Sequence, residues 1–203
     1  MRNEMKPVYY VFLLLLLTAC SGVTSVTPVG SPTLATHSLS ISHHQSAPIE
    51  QAQVDAILAS MNSVLVAQDE SHDFSCNVGF NQTGTPNAFS FGTGIVNSAE
   101  DFDFLILGVA GEVKVVNMIN YCGGFGSFLG CAPKPGEAMV VVRTSNSLEG
   151  VLWAHEFGHN QDLSHNITAS NALMNPQIGR TTRTIDSLEC DHFSNYHDPS
   201  EGS

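Results

Sequence analysis

The chain is short of positive charge and of closely spaced cysteine pairs. Only 7 of its 203 residues are lysine or arginine, against 19 aspartates and glutamates, and the formal net charge is −12. So acidic a chain is a poor partner for nucleic acids and anionic membrane surfaces, which attract cationic proteins. No two cysteines form a C-x-x-C pair, which argues against a cysteine-ligated metal site. The length suits one domain with its own core.

The N-terminal segment has the pattern of an export signal. Arg2 and Lys6 precede an apolar run, residues 8–17, that is too short for a membrane-spanning helix of about 20 residues. Leu-Thr-Ala followed by Cys20 resembles the lipobox of bacterial lipoproteins. The resemblance implies a signal peptide over residues 1–19, lipidation of Cys20, and membrane anchoring at the outer membrane or cell surface. The alternative is an ordinary signal peptide with an incidental cysteine.

The segment after Cys20 predicts a tether. Residues 20–47 are rich in serine, threonine, proline and valine and show no sustained helical or strand period, which is typical of a flexible linker. We interpret His37, His43 and His44 as solvated linker residues, and place the folded domain at residues 48–203.

Four further cysteines predict two disulfides, as expected of an exported protein. Sequence alone allows three connectivities. Cys122 and Cys131 bracket a short glycine-rich loop, so we pair these two and leave Cys76 with Cys190.

The remaining chain reads as a mixture of helices and strands. The apolar spacing predicts an amphipathic helix over residues 48–68. Strands are predicted near residues 74–80, 88–96, 102–107, 112–119 and 138–143. A second helix follows, with Ser145 or Ser147 as its N-cap. This order predicts an α/β (α+β) domain.

The second helix carries a metal-binding pattern. His155, Glu156 and His159 form H-E-x-x-H. On a helix, the two histidines lie one turn apart on the same face and suit one tetrahedral zinc, with the glutamate beside them. A third histidine, His165, follows six residues later, and Met174 lies in an Ala-Leu-Met-Asn-Pro sequence.

The extended pattern H-E-x-x-H-x-x-D-x-x-H, with the methionine after it, resembles the metzincin clan of zinc metalloproteases. The resemblance implies a twisted mixed sheet with an active-site helix and a Met-turn. It makes His155, His159 and His165 the ligands of one Zn²⁺, Glu156 the general base and Met174 the turn methionine.

One residue departs from the clan pattern. Asp162 stands where the clan has the glycine that lets the chain leave the helix through a positive φ. Aspartate is enriched among the non-glycine residues that adopt this conformation, so we keep His165 as a ligand. The competing third ligand, as in the gluzincins, is Glu189.

The resemblance implies a peptidase with a protein or peptide substrate. The substrate would lie along an edge strand within residues 126–132, and we expect a monomer. Two alternatives stay open: a non-catalytic zinc-binding lipoprotein or adhesin that retains the fold, and an amidase acting on peptidoglycan peptides.

Overall fold

The structure, a computed structural model, describes residues 35–68 and 73–195. The expected signal peptide and Cys20 therefore lie outside the described residues. No described helix is long and apolar enough to cross a membrane. The elements are, in order, β1 (Ala35–Leu39), β2 (Ile41–His44), α1 (Gln51–Val66), β3 (Val78–Gln82), β4 (Asn87–Phe89), β5 (Ile95–Val96), α2 (Ala99–Gly108), β6 (Val113–Val116), β7 (Met118–Tyr121), β8 (Phe125–Phe128), β9 (Gly130–Cys131), β10 (Met139–Val142), α3 (Asn146–Asn160) and α4 (Ser187–Ser194).

A five-stranded sheet forms the centre of the fold, with the strand order β4-β2-β6-β10-β9. Its strand pairs are parallel except that β9 runs antiparallel to β10. Every residue of β6 and β10 is buried, as expected for strands covered on both faces. The predicted strand over residues 138–143 is confirmed by β10. The short strand β9 forms one edge of this sheet.

Two hydrophobic clusters cover the two faces of the sheet. Val113 and Val115 of β6 face the larger cluster, which includes α1 and α3, whereas Val116 faces the smaller one. Helix α1 confirms the helix predicted over residues 48–68. It packs closely against α3, because a Cβ added to Gly150 would come within 2.5 Å of the Ser60 Cβ.

The strand predicted over residues 102–107 is wrong, because this segment lies within helix α2. The Ser98 hydroxyl accepts a hydrogen bond from the Asp101 backbone at 3.2 Å, which caps the helix, and acidic residues occupy the first turn. Phe102, Leu105 and Val109 pack in the smaller cluster at three- and four-residue spacing. That spacing was a helical signal within a short apolar run that also suits a strand.

The tether prediction is wrong for its second half. Residues 35–39 form β1, which pairs in parallel with β3, and residues 41–44 form β2, which lies between β4 and β6. His37 and His44 are buried rather than solvated. The described domain therefore begins before residue 48, because pairing with strands distant in sequence orders a segment that has no period of its own.

Three other predicted strands are present with different bounds. The strand expected over residues 74–80 begins only at Val78, and that over 88–96 is divided into β4 and β5. The strand expected over 112–119 is divided at Asn117, whose backbone nitrogen donates to the Gly94 carbonyl at 2.8 Å. Because Asn117 bonds to Gly94, it does not continue the pairing of β6 with β2 and β10.

Both predicted disulfides are present. Cys76 pairs with Cys190 and joins the segment before β3 to α4. Cys122 pairs with Cys131 and closes a loop across nine positions, which ties the β7–β8 hairpin to the edge strand β9.

Candidate zinc site

The helix that carries the motif, α3, is buried along most of its length. It begins after Ser145, which is its N-cap although the side chain makes no capping bond. The buried Glu149 in the first turn accepts a hydrogen bond from the Arg143 Nε at 2.7 Å, which pairs its charge. Trp153 and Ala154 are fully buried. These contacts fix α3 in the fold, so the polar side chains that it carries are held in place.

The structure brings the three predicted histidines together. The ligand-type atoms of His155, His159 and His165 all lie within 4.8 Å of one another. The Nε2 atoms of His159 and His165 are 3.1 Å apart. Two nitrogens bound tetrahedrally to one zinc at about 2.0–2.1 Å would be separated by roughly 3.4 Å. The neutral nitrogen donors and their spacing therefore fit a zinc ion.

Backbone carbonyls orient two of the rings. The Nδ1 of His155 lies 2.8 Å from the Leu173 oxygen, and the Nδ1 of His159 lies 2.8 Å from the Leu163 oxygen. A carbonyl can only accept, so each Nδ1 carries the proton and donates it. This leaves Nε2 of each ring as the metal donor, the arrangement usual for metal-ligating histidines.

Burial favours the neutral form of all three imidazoles. Desolvation is the main cause that lowers the pKa of His155 to about 4; the Leu173 carbonyl opposes this shift, and the neighbouring His159 and His165 add smaller downward effects. Desolvation also lowers the pKa values of His159 and His165. Neutral imidazole is the form that binds metal, so the site is arranged for ligation at neutral pH.

The turn between the second and third histidines adopts the predicted conformation. Asp162 has a φ of 67°, the only positive value among the described non-glycine residues. The Leu163 backbone nitrogen donates to the Gly158 carbonyl at 2.9 Å, and the Leu163 side chain is buried. Aspartate thus serves where the clan uses glycine, and the chain turns back so that His165 reaches the other two ligands.

The predicted turn methionine packs beneath the helix. Met174 is fully buried, and a Cβ added to Gly158 would lie 2.5 Å from its Sδ. Gly158 precedes His159, so the thioether supports the helix at the level of the ligands. The Met174 carbonyl accepts from the Asn166 nitrogen at 2.8 Å, which ties this turn to the residue that follows His165.

The predicted general base is buried beside the ligands. Glu156 is 4% exposed, and its carboxylate packs against Gly130, where an added Cβ would clash with it. Burial raises the pKa of Glu156 to about 8 in the metal-free chain. A carboxylate whose pKa is raised towards neutral can both accept and return a proton.

A cleft of about 710 Å³ opens over these residues. The three histidines and Glu156 form its floor, and one wall is the segment from β8 to β9 that includes Phe128, Leu129 and Gly130. Residues 176–178, which follow the methionine turn, also line the cleft. The cleft therefore runs along the exposed edge of the central sheet.

The competing third ligand does not reach the cluster. Glu189 forms a reciprocal cap with Asp186 at the start of α4: its Oε2 accepts from the Asp186 nitrogen at 3.1 Å. This capping role accounts for the position of the Glu189 carboxylate without a metal ion.

Two cleft residues were not singled out from the sequence. Gly130 lies in a glycine-rich stretch that contains several similar residues, and its contact with Glu156 is visible only in the fold. Lys134 lies in the cleft wall, and its ammonium group donates to the Ser164 hydroxyl at 2.6 Å. No local pattern marks either residue.

The fold and the histidine cluster together define a class, that of α/β proteins with three histidines placed to bind one zinc ion. No family model matches the chain, and no curated protein matches it. Solved structures do. A structure of mirolysin matches with a TM-score of 0.57 and 15% identity, covering 83% of this chain and 94% of mirolysin. A second structure, mature mirolysin of Tannerella forsythia with a cleaved peptide, matches with the same TM-score and identity, covering 78% and 90%.

The likeness shows the fold. It confirms the predicted architecture of a mixed sheet packed with helices.

Proposed function

We propose that the chain is a zinc-dependent endopeptidase in which Glu156 is the general base. The observation that carries the proposal is the convergence of His155, His159 and His165 at the buried Glu156, on the floor of an open cleft. A structural zinc site would be closed by a fourth protein ligand, whereas catalytic sites have three and keep one position open. The described cluster has three such ligands.

Zinc and the residues around it have separate roles in the proposed hydrolysis. Zinc in a three-histidine site supplies Lewis acidity, which activates water and stabilises negative charge on a carbonyl oxygen. Glu156 takes the proton of the attacking water and later delivers it to the leaving amide nitrogen. Its carboxylate is held for this transfer between α3 and Gly130. Leu173 and Leu163 keep the ligand rings in orientation through their carbonyls.

The substrate is an extended peptide. The edge strand β9 borders the cleft next to Glu156, and an exposed strand edge pairs with extended chains through backbone hydrogen bonds. The Cys122–Cys131 disulfide holds this edge against the preceding hairpin. The cleaved peptide bound to mirolysin, which has the same fold, supports a peptide ligand here.

The enzyme is an exported lipoprotein anchored through Cys20. The support is the basic Arg2 and Lys6, the short apolar run and the Leu-Thr-Ala-Cys sequence. A single acyl chain binds membranes only marginally, so more than one chain on Cys20 is expected. Growth with a labelled fatty acid tests this: Cys20→Ala should abolish incorporation, whereas Ser25→Ala should not.

Cleavage of an unstructured protein substrate tests the peptidase proposal. The purified wild type should cleave it, a chelator should stop cleavage, and zinc should restore it. Glu156→Ala should bind zinc and not cleave, whereas Glu100→Ala, which removes an exposed carboxylate on α2, should cleave normally. Stoichiometric zinc without cleavage of proteins, peptides or cell-wall digests would favour a non-catalytic zinc-binding protein.

A further inference from the structure

The turn that carries the third histidine is held from outside the zinc helix. Lys134 belongs to the loop between β9 and β10, and its Nζ donates to the Ser164 hydroxyl at 2.6 Å. The same Nζ lies 3.9 Å from the Asp162 Oδ1. One ammonium group therefore contacts the residues at both ends of the three-residue turn before His165.

This turn needs external support. A non-glycine residue in the left-handed region is strained, and Asp162 occupies that region with a φ of 67°. The turn also positions two ligands, since the Leu163 carbonyl orients His159 and the chain after Ser164 presents His165. His165 is the most exposed of the three ligands and has the least packing of its own.

We infer that Lys134 is a positioning residue for the third zinc ligand, and that its ammonium group fastens Asp162 and Ser164 to the loop after the edge strand. This inference rests on the proposed zinc site. Lysine suits the task because an ammonium group has three donors and can serve two acceptors at once. It explains how an aspartate replaces glycine in the turn while His165 still reaches the other ligands.

The competing interpretation makes Lys134 a substrate contact, because it also lines the cleft. The distances favour positioning, since the Nζ is already hydrogen-bonded within the protein and faces the Asp162 carboxylate. The ion pair is partly exposed and weak in isolation. Its effect should therefore be seen in zinc affinity, where residues that orient ligands typically contribute about 10–100-fold.

Zinc affinity measured by chelator competition tests the inference. Lys134→Met should weaken zinc binding about 10-fold relative to wild type, and Lys134→Arg should restore most of the loss because arginine can donate to both partners. Arg180→Met is the matched control: it removes one positive charge from an exposed residue that does not line the cleft, and should leave zinc affinity unchanged. Melting of the zinc-free proteins checks that each variant folds.

A spectroscopic measurement separates positioning from general destabilisation. The visible absorption of the Co²⁺-substituted protein reports the ligand geometry, so Lys134→Met should change its intensity or shape while Arg180→Met does not. Ser164→Ala provides a double-mutant cycle. If Lys134 acts through Ser164, the double variant should bind zinc only slightly more weakly than Lys134→Met alone.

Three outcomes overturn the inference. The first is equal zinc affinity and an equal Co²⁺ spectrum in wild type and Lys134→Met. The second is unchanged zinc binding with a raised KM confined to acidic peptides, which would make Lys134 a substrate contact. The third is additive losses in the cycle. Failure of the proposed function looks different, because wild type itself would then bind no zinc, or His165→Ala would bind it as tightly as wild type.

Discussion

Two sets of three histidines in this chain differ in whether their nitrogen atoms come together. His155, His159 and His165 converge on one point, whereas His37, His43 and His44 of β1 and β2 do not form a metal cluster within the described residues. His37 instead bonds the Phe193 carbonyl at 2.7 Å and packs against aromatic rings of the core.

The difference follows from the backbone that carries each set. Histidines four apart on a helix share one face, and a left-handed turn returns the third to them. Neighbouring residues on a strand, such as His43 and His44, point to opposite faces. The surroundings also differ: His155, His159 and His165 line an open cleft, whereas His37 and His44 are buried in the fold. Burial of a histidine is therefore not evidence of a site, whereas convergence of nitrogen atoms is.

Loss of one ligand should produce the largest contrast between the sets. His159→Ala should weaken zinc binding by more than about 100-fold, since a direct ligand contributes more than the residues that orient it. His37→Ala should leave zinc affinity close to that of wild type. Chelator competition on both variants measures the contrast, and a comparable loss in His37→Ala would contradict the separation into a site set and a core set.

The buried base of the site should lower stability as the pH rises, opposite to the pH effect of the core histidine His37. Burial raises the pKa of Glu156 from 4.5 to about 8, so the folded chain binds the proton more tightly than the unfolded chain. Stability of the zinc-free protein should therefore fall as the pH rises from 5 to 8, by about 3 kcal/mol from this group.

Glu156→Gln removes this titration. The zinc-free variant should be more stable than wild type at pH 8, and the difference should shrink towards pH 5. Urea unfolding at the two pH values measures it, with Glu100→Gln as the exposed control. A difference between variant and wild type that does not change with pH would refute the buried, protonated carboxylate.

Removal of a core histidine should affect folding alone. His37→Ala deletes contacts with Phe80 and Phe157 and leaves the Phe193 carbonyl without this partner, so the free energy of unfolding should fall by about 2 kcal/mol.

Desolvation lowers the pKa of His37, so the folded protein favours the neutral ring. The stability that depends on the neutral ring should be lost as the pH falls below 6.5, the pKa in the unfolded chain. Denaturant unfolding at pH 7.5 and 5.5 compares wild type with His37→Ala. An identical pH dependence in the two proteins would argue against a neutral, buried His37.

The smallest expected effect tests how closely Gly130 packs against Glu156 in the site. Gly130→Ala places a methyl group where the Glu156 carboxylate lies, so kcat should fall about 10-fold while zinc stays bound, because only the base moves. Gly124→Ala in the neighbouring loop is the matched control, since its added Cβ meets nothing within 4 Å. Equal activity of the two variants would show that Glu156 tolerates displacement.

Local chemistry made much of the site predictable. The spacing of His155 and His159, the tolerance of Asp162 for a positive φ and the pairing of Cys122 with Cys131 depend on residues close together in sequence. Errors arose where distant pairing or mixed signals decided the outcome. The short apolar run from Phe102 also suits a strand, but its N-cap at Ser98 and its cluster contacts make it helical.

The sequence by itself determined the three histidines, the glutamate and the methionine of the proposed zinc site, because helix periodicity and one turn conformation are enough to bring those residues together. It also determined which side chains could bind metal at all. Only the tertiary structure decided that β1 and β2 belong to the domain, that Gly130 leaves room for Glu156, and that Lys134 reaches the turn before His165. These depend on contacts between segments far apart in the chain, which no local pattern specifies.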